Sequence, residues 1–265
     1  MKVATWNVNS IRSRLEQVVN WLEQTKVDVL CLQETKVVDA EFPQQPLEQL
    51  GYHIYVSGQK SYNGVAILSS KPLQDVSTGF KPVLAQSNID VSDLDLDEQK
   101  RVITGVFDST RIVNLYVPNG AAVGSEKYEY KLRWLKVLRE YLRSLLLLSP
   151  AICVCGDFNI ALEDRDIHNP DKLTGNIMAS ELERQALREI LALGFFDAFR
   201  KFTNQEGYFS WWDYRGGAFR RNCGWRIDHH YLTPELYKQA SNCMIDTTPR
   251  KLPHPSDHAP VIVEF

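Results

Sequence analysis

The spacing between strand-like runs changes along the chain, and this limits the folds open to it. "KVATWNV" and "VDVLCLQ" are short apolar runs, and between them Ile11, Leu15, Val18, Val19 and Leu22 recur at helical spacing. "GYHIYVSG", "GVAILSS", "RVITGVF" and "RIVNLYV" then follow without a helical pattern between them. Strands joined through a helix pair in parallel, and strands joined by short connections pair antiparallel. A chain that does both predicts mixed sheets. Leu135, Leu138, Leu142, Leu145 and Leu146 mark a long amphipathic helix leading into the strand "AICVC". Ser180 and Glu183 form a capping box and Gly194 supplies a stop, so 181–193 is predicted helical. "GWRIDHHYLT" and "PVIVEF" close the chain as strands. With no repeat and no linker, the expectation is a single α/β domain over 1–265. In it two mixed β-sheets pack face to face with helices outside.

The 265 residues are 44% hydrophobic, enough for a large core. Net charge is -3, so a nucleic-acid partner would have to meet a local basic surface. The five cysteines are an odd number at scattered positions, which reads as reduced thiols acting as small hydrophobes. Cys153 and Cys155 should face one side of their strand. A zinc site would need two more soft ligands, and none stands at metal-binding spacing. The N-terminus lacks a signal-peptide core, and Leu145 to Leu148 is too short to cross a bilayer. A cytoplasmic, monomeric protein with no membrane partner is expected. Asp90, Asp93, Asp95, Asp97 and Glu98 make residues 81–100 read as a solvated acidic loop.

The strands end in chemistry. "AICVCGDFN" runs apolar into Gly156, Asp157 and Asn159. "KVATWNVN" ends in Asn7 and Asn9, "VLCLQE" in Glu34, and "NLYVPNG" in Tyr116 and Asn119. "RID" carries Asp228, and "PSDHAP" sets Asp257 beside His258. Each alone has an ordinary reading as turn chemistry. Together they are harder to dismiss, because ligand sites in sheet proteins gather at strand ends. Carboxylates and amides are hard oxygen ligands suited to magnesium or manganese. The set lacks a serine or cysteine nucleophile with a base, and lacks a Gly-rich phosphate loop. What remains is metal-assisted attack of water on a phosphate ester.

"TWNVNSIR", "LCLQETK", "YNGVAIL", "LYVPNG", "GDFN", "WWDYR", "GWRID" and "SDHAP" occur in that order. In these motifs the chain resembles the exonuclease III branch of the endonuclease/exonuclease/phosphatase superfamily, the Mg-dependent apurinic/apyrimidinic (AP) endonucleases. The resemblance runs from Asn7 to His258 and implies a four-layered α/β sandwich. It puts Glu34 and Asn7 at the metal, with Asp257 nearby and with Asp157 and Asn159 in the same surroundings. Asp157 would position or deprotonate the attacking water, and Asn159 would hold that water or the phosphate in line. Asp228 would pair with His258. His258, Asn119 and Tyr116 would contact the scissile phosphate. Asn9 stands where relatives carry Asp or Asn.

The superfamily also hydrolyses inositol phosphates and sphingomyelin, so the substrate rests on other residues. The stretch from Tyr214 through Ile227 holds Arg215, Arg220, Arg221 and Arg226 with no acidic residue. Such a loop could track a phosphate backbone. Tryptophans near a strand are usually core, which is the reading favoured for Trp211 or Trp212. By resemblance, Trp212, Trp225 and Ile227 lie where AP endonucleases grip a flipped-out sugar lacking its base, with Arg221 on the DNA. The implied activity is a Mg2+-dependent DNA-repair nuclease, with Mn2+ as a substitute. It cuts duplex DNA 5′ to abasic sites and acts at 3′ ends as exonuclease and phosphatase. The rivals are a same-fold enzyme acting on lipids or inositol phosphates, and a DNA-binding module without catalysis.

Overall fold

The computed structural model describes residues 1–85 and 94–265. Two six-stranded sheets form its centre. The first holds β1 (Lys2–Asn7), β2 (Val29–Gln33), β3 (His53–Ser57), β4 (Val65–Ser69), β11 (Asn242–Ile245) and β12 (Val261–Glu264), in the order β11-β12-β1-β2-β4-β3. The second holds β5 (Gln74–Thr78), β6 (Val102–Phe107), β7 (Thr110–Tyr116), β8 (Ile152–Asp157), β9 (Phe196–Asp197) and β10 (Asp228–Leu232), in the order β5-β6-β7-β8-β10-β9. Both are mixed, as expected. β1 runs parallel to β2 across the helix Ile11–Thr25, and β7 runs parallel to β8 across the helix Glu126–Leu148. β3 pairs antiparallel with β4, and β6 with β7, and neither pair has a helix between its strands.

Side-chain alternation builds the layers. Val3, Val29, Cys31, Val65 and Ile67 of the first sheet meet Ile103, Ile112, Cys153, Cys155 and Leu232 of the second in one buried cluster. Alternate residues turn outward. Ala4, Trp6, Leu30 and Leu32 pack against Val18, Trp21 and Leu22 of the first helix. Val113, Leu115, Val154 and Ile152 pack against Leu135, Leu138, Leu142 and Leu145 of the second. The result is helix, sheet, sheet, helix.

Several local expectations need correcting. The capping box at Ser180 is present, but the helix it starts spans Glu181–Leu191 and stops before 193. The acidic segment is more than a solvated loop. Leu96 is a core residue, and Asp97 accepts from the backbone N–H of Phe80 (2.7 Å) and Lys81 (2.9 Å), holding the short helix Lys81–Leu84. Asp90 and Asp93 lie outside the described residues. Cys153 and Cys155 do face one way, and the fold brings His230 to within 4.8 Å of both, a third soft ligand that their spacing did not reveal. Its Nε2 donates to Val261 O at 2.9 Å, and its Nδ1 faces Cys153 Sγ at 3.7 Å inside the closed core. Among the described residues, no helix is long and apolar enough to cross a membrane.

Candidate active site

The parallel pairs bring the C-terminal ends of β1, β2, β7 and β8 together, and antiparallel β10 starts beside them. Register does the rest. Tyr116 pairs with Asp157 across β7 and β8, and Asp228 pairs with Asp157 across β8 and β10. Gly156 lets β8 lie this close. At its φ of 146° an added Cβ would sit 2.0 Å from Leu115 O.

Asp157 is the centre. It is 1% exposed, and Oδ1 accepts from the Asn159 N–H at 2.9 Å, with Asn159 in the left-handed region. Its Oδ2 accepts from Asn7 Nδ2 at 2.9 Å, and the same amide nitrogen donates to Glu34 Oε1 at 2.9 Å. Burial, together with nearby Asp228 and Glu34, raises the Asp157 pKa to about 7, although the His258 cation opposes the rise. Burial works the other way on His258, but the Asp228 and Asp157 carboxylates outweigh it and lift that imidazole to about 10. His258 Nδ1 donates to Asp228 Oδ2 at 2.9 Å, and Nε2 faces Asp157 Oδ2 at 3.7 Å. At neutral pH the site therefore holds an imidazolium against a carboxylate poised near its own titration point.

The remaining expected residues fall into two groups around this centre. Asn119 closes a turn through Oδ1, which accepts from the Ala121 N–H, and its Nδ2 donates to Asn159 Oδ1 at 3.0 Å. Asn159 Nδ2 donates to Val117 O at 3.0 Å, so its amide is committed on both sides. The Tyr116 phenol faces Glu34, and burial and that carboxylate raise its pKa well above the ordinary value. Arg101 stacks on the Tyr116 ring at 4.6 Å and donates to its carbonyl. On the other side, Asp257 Oδ1 accepts from Asn9 Nδ2 and Oδ2 from Trp211 Nε1, both at 3.0 Å. Lys36 Nζ donates to Asn9 Oδ1 and pairs with Glu34 Oε2 at 2.8 Å. Burial disfavours the Glu34 charge, yet Lys36 and Asn7 hold its pKa below the usual carboxylate value.

Lys36 and Trp211 were missed in the sequence as site residues. Lys36 sits inside "LQETK", two residues after Glu34, and that spacing was its signal. Trp211 had been favoured as core, but it is half-buried and makes isolated bridges with Trp225 and His258. Trp225 and Ile227 share a buried cluster with Ile167 and Met178. Trp212 stands apart from them, 2% exposed in a cluster with Phe209, Ala218 and Ala259, its Nε1 donating to Asn222. Arg215, Arg220 and Arg221 are exposed. Arg226 is not available to a ligand. It is 1% exposed and bound to Asp166 and Asp197, each at 2.7 Å.

The donor set fits a hard divalent cation. Glu34 Oε1 and Asp157 Oδ2 converge on the Asn7 amide nitrogen, and two carboxylate oxygens brought to one point are magnesium-type ligands; Asn7 would ligate through Oδ1, which here accepts from the Asn9 N–H. Asp157, Asp228 and His258 also cluster within 4.8 Å, but a protonated imidazole has no lone pair to give a metal.

Fold and site together define a metal-dependent phosphodiesterase. The chain belongs to the Endonuclease/Exonuclease/phosphatase family, whose pattern matches residues 4–258. An exodeoxyribonuclease of Bacillus subtilis (strain 168) is 34% identical over 266 residues, 98% of each chain. An AP endonuclease structure from Archaeoglobus fulgidus is 42% identical with a TM-score of 0.91. A 3′ phosphatase from Neisseria, bound to product DNA hairpin, is 39% identical with a TM-score of 0.92. Each of these two structures covers 100% of this chain and is itself covered to 99%.

Proposed function

We propose that this chain is a Mg2+-dependent DNA-repair nuclease, active as a monomer in the cytoplasm, with 1–265 as one catalytic domain. It hydrolyses the phosphodiester 5′ to an abasic site in duplex DNA, leaving a 3′-hydroxyl, and at 3′ ends it acts as exonuclease and phosphatase. The observation that carries this reading is the place of Asp157 between two groups: its Oδ2 faces the Asp228-paired His258 at 3.7 Å and shares the Asn7 amide donor with Glu34.

Each residue has a task that its geometry allows. Asp157, whose burial raises its affinity for a proton, takes the proton from the attacking water. The Asn159 N–H and the Asn7 amide fix its two oxygens, so the basic lone pairs point one way. His258 stays cationic and offsets the charge that builds on the phosphoryl oxygens. Asn119 would donate to the same oxygens, and Tyr116 would do so once its phenol turns from Glu34 to the phosphate. Asn7, Glu34 and Asp157 would hold the divalent ion, which supplies charge neutralisation and Lewis acidity at the phosphate. Trp225 and Ile227 would line the pocket for the extruded sugar, which costs least to flip when it carries no base. Arg215, Arg220 and Arg221 would follow the phosphate backbone.

The test is a labelled duplex with one abasic analogue, incubated with magnesium or with EDTA. Cleavage is expected with metal alone. Asp157→Asn should lower kcat ~10²–10⁴-fold, the usual contribution of a positioned base. His258→Asn should fall by a similar order. Full activity in Asp157→Asn would remove the base, and cleavage indifferent to EDTA would remove the cation. An inositol phosphate or lipid cut in preference to the duplex would reassign the substrate.

A further inference from the structure

Lys131 is 0% exposed on the inner face of the helix Glu126–Leu148, among leucines that could serve the core alone. Its Nζ donates to Asn119 O at 3.1 Å, to Asn159 O at 2.7 Å, and to Glu183 Oε1. The first two carbonyls belong to different loops, one leaving β7 and one leaving β8. The side chains of those same two asparagines are themselves joined, Asn119 Nδ2 to Asn159 Oδ1. Each loop is therefore tied to its neighbour twice, once at the amide tips and once beneath the backbone.

The anchor is itself anchored. Glu183 accepts from the N–H groups of Met178 and Ser180 (3.0 Å each) and from Ser180 Oγ (2.6 Å). Ser180 Oγ lies 2.7 Å from Tyr128 OH, one helical turn before Lys131. The lysine stem also packs beneath the Asn119 turn, where an added Cβ on Gly120 would sit 3.1 Å from Lys131 Cδ. Charged side chains are almost never fully buried unless paired, and an apolar pair of similar volume is often as stable or more so. Core packing therefore does not explain a lysine and a glutamate here. Holding two backbone carbonyls at one point does.

We propose that Lys131 is a positioning residue of the reaction, with Glu183 as its support: one buried ammonium sets the Asn119 and Asn159 loops relative to each other. The Asn119 amide, and the Asn159 N–H that holds Asp157, are thereby fixed before substrate arrives. This rests on the phosphodiesterase reading above, and it concerns a residue that does not touch the substrate. A misplacement of about 1 Å can cost ~10²-fold in rate.

The experiment compares wild type, Lys131→Met and Lys131→Met/Glu183→Gln on the abasic duplex in saturating magnesium, with kcat, KM and melting temperature recorded for each. Lys131→Met leaves Glu183 charged and unpaired, so it should melt lower. It should also lose ~10–10²-fold in kcat while KM changes much less. The double variant removes both buried charges and keeps one acceptor for the helix cap, so its melting temperature should recover in part. Its kcat should stay low, because the two carbonyls remain untethered. A double variant that regains wild-type kcat along with its stability would reduce Lys131 to a structural role and overturn the proposal. So would Lys131→Met at full kcat. Should Lys131→Met fail to fold, the double variant decides alone, slow for the proposal and fast against it. A wild-type protein that leaves the duplex uncut would instead defeat the proposed function.

Discussion

Gly156 is where the residue scale can be tested without touching a reacting group. Its Cβ would fall 2.0 Å from a β7 carbonyl, a contact no flexible side chain can relieve. Gly156→Ala should therefore destabilise the fold by at least ~1–3 kcal/mol in a denaturant melt. It should also lower kcat, because Asp157 is the next residue; an unchanged melt would mean that β7 and β8 are not in this contact. Trp211→Phe is gentler. It keeps an aromatic ring but replaces the indole by a smaller phenyl and leaves Asp257 Oδ2 without its Nε1 donor, at a cost of ~1–3 kcal/mol in a denaturant melt. The contrast between these residues also shows what one sequence can reveal. Asp157, Glu34, Asn7, Asp228 and His258 were legible because each is a polar side chain where an apolar strand stops. Trp211 and Lys131 were not, because neither stands where an apolar strand stops, and only tertiary contacts give them their polar partners. Arg226 misled for the reverse reason. It stands in a basic loop sequence, but its partners Asp166 and Asp197 come from distant segments.

At the scale of elements, periodicity worked where the strand or helix had a buried face. The helices at Ile11–Thr25 and Glu126–Leu148 carry their apolar spacing onto one sheet each. β5, β9 and β11 went unread. β5 is mostly exposed and polar at a sheet edge, β9 has two residues, and β11 also lies at an edge. An edge strand gets much of its definition from its neighbour, which local sequence does not contain. The packing of the long helix gives a separable prediction. Leu138 is 0% exposed in the cluster under that helix. Leu138→Ala should cost ~2–5 kcal/mol in stability. The kcat of the folded fraction should remain near wild type, since Leu138 lies two helical turns beyond Lys131 and its side chain serves the hydrophobic cluster. A large kcat loss at full folding would mean that the helix position itself tunes the loops.

For the whole molecule, the buried charges that join distant segments decide how stability responds to acid. Arg226 ties Asp166, Asp197 and His229 into one buried group linking the 163–167 loop, β9 and β10. His229 is neutral there. Its Nδ1 accepts from Arg226 Nη1 at 3.1 Å and its Nε2 donates to Ile160 O at 2.9 Å. Burial, reinforced by the Arg226 cation, lowers its pKa to about 4. A free histidine titrates near ~6.5. Between those two values the unfolded chain binds a proton that the folded chain refuses, so stability is complete above the upper value and falls as pH drops toward the lower one. The drop is on the order of 3 kcal/mol across that window. His258 has the opposite sign, since its raised pKa favours the fold below ~6.5 and loses that benefit as pH climbs through about 10. Asp157, raised to about 7, also opposes His229 within the acid window, so the wild-type curve alone does not isolate the effect. A His229→Gln variant does, because Asp166 and Asp197, held low by Arg226 against their burial, stay ionised throughout the window. The stability gap between wild type and His229→Gln, from denaturant melts without added metal, should be constant above ~6.5 and close steadily toward pH ~4. Parallel curves across that range would mean that His229 takes up its proton in the folded state as readily as in the unfolded chain, and that the Arg226 group does not exclude it.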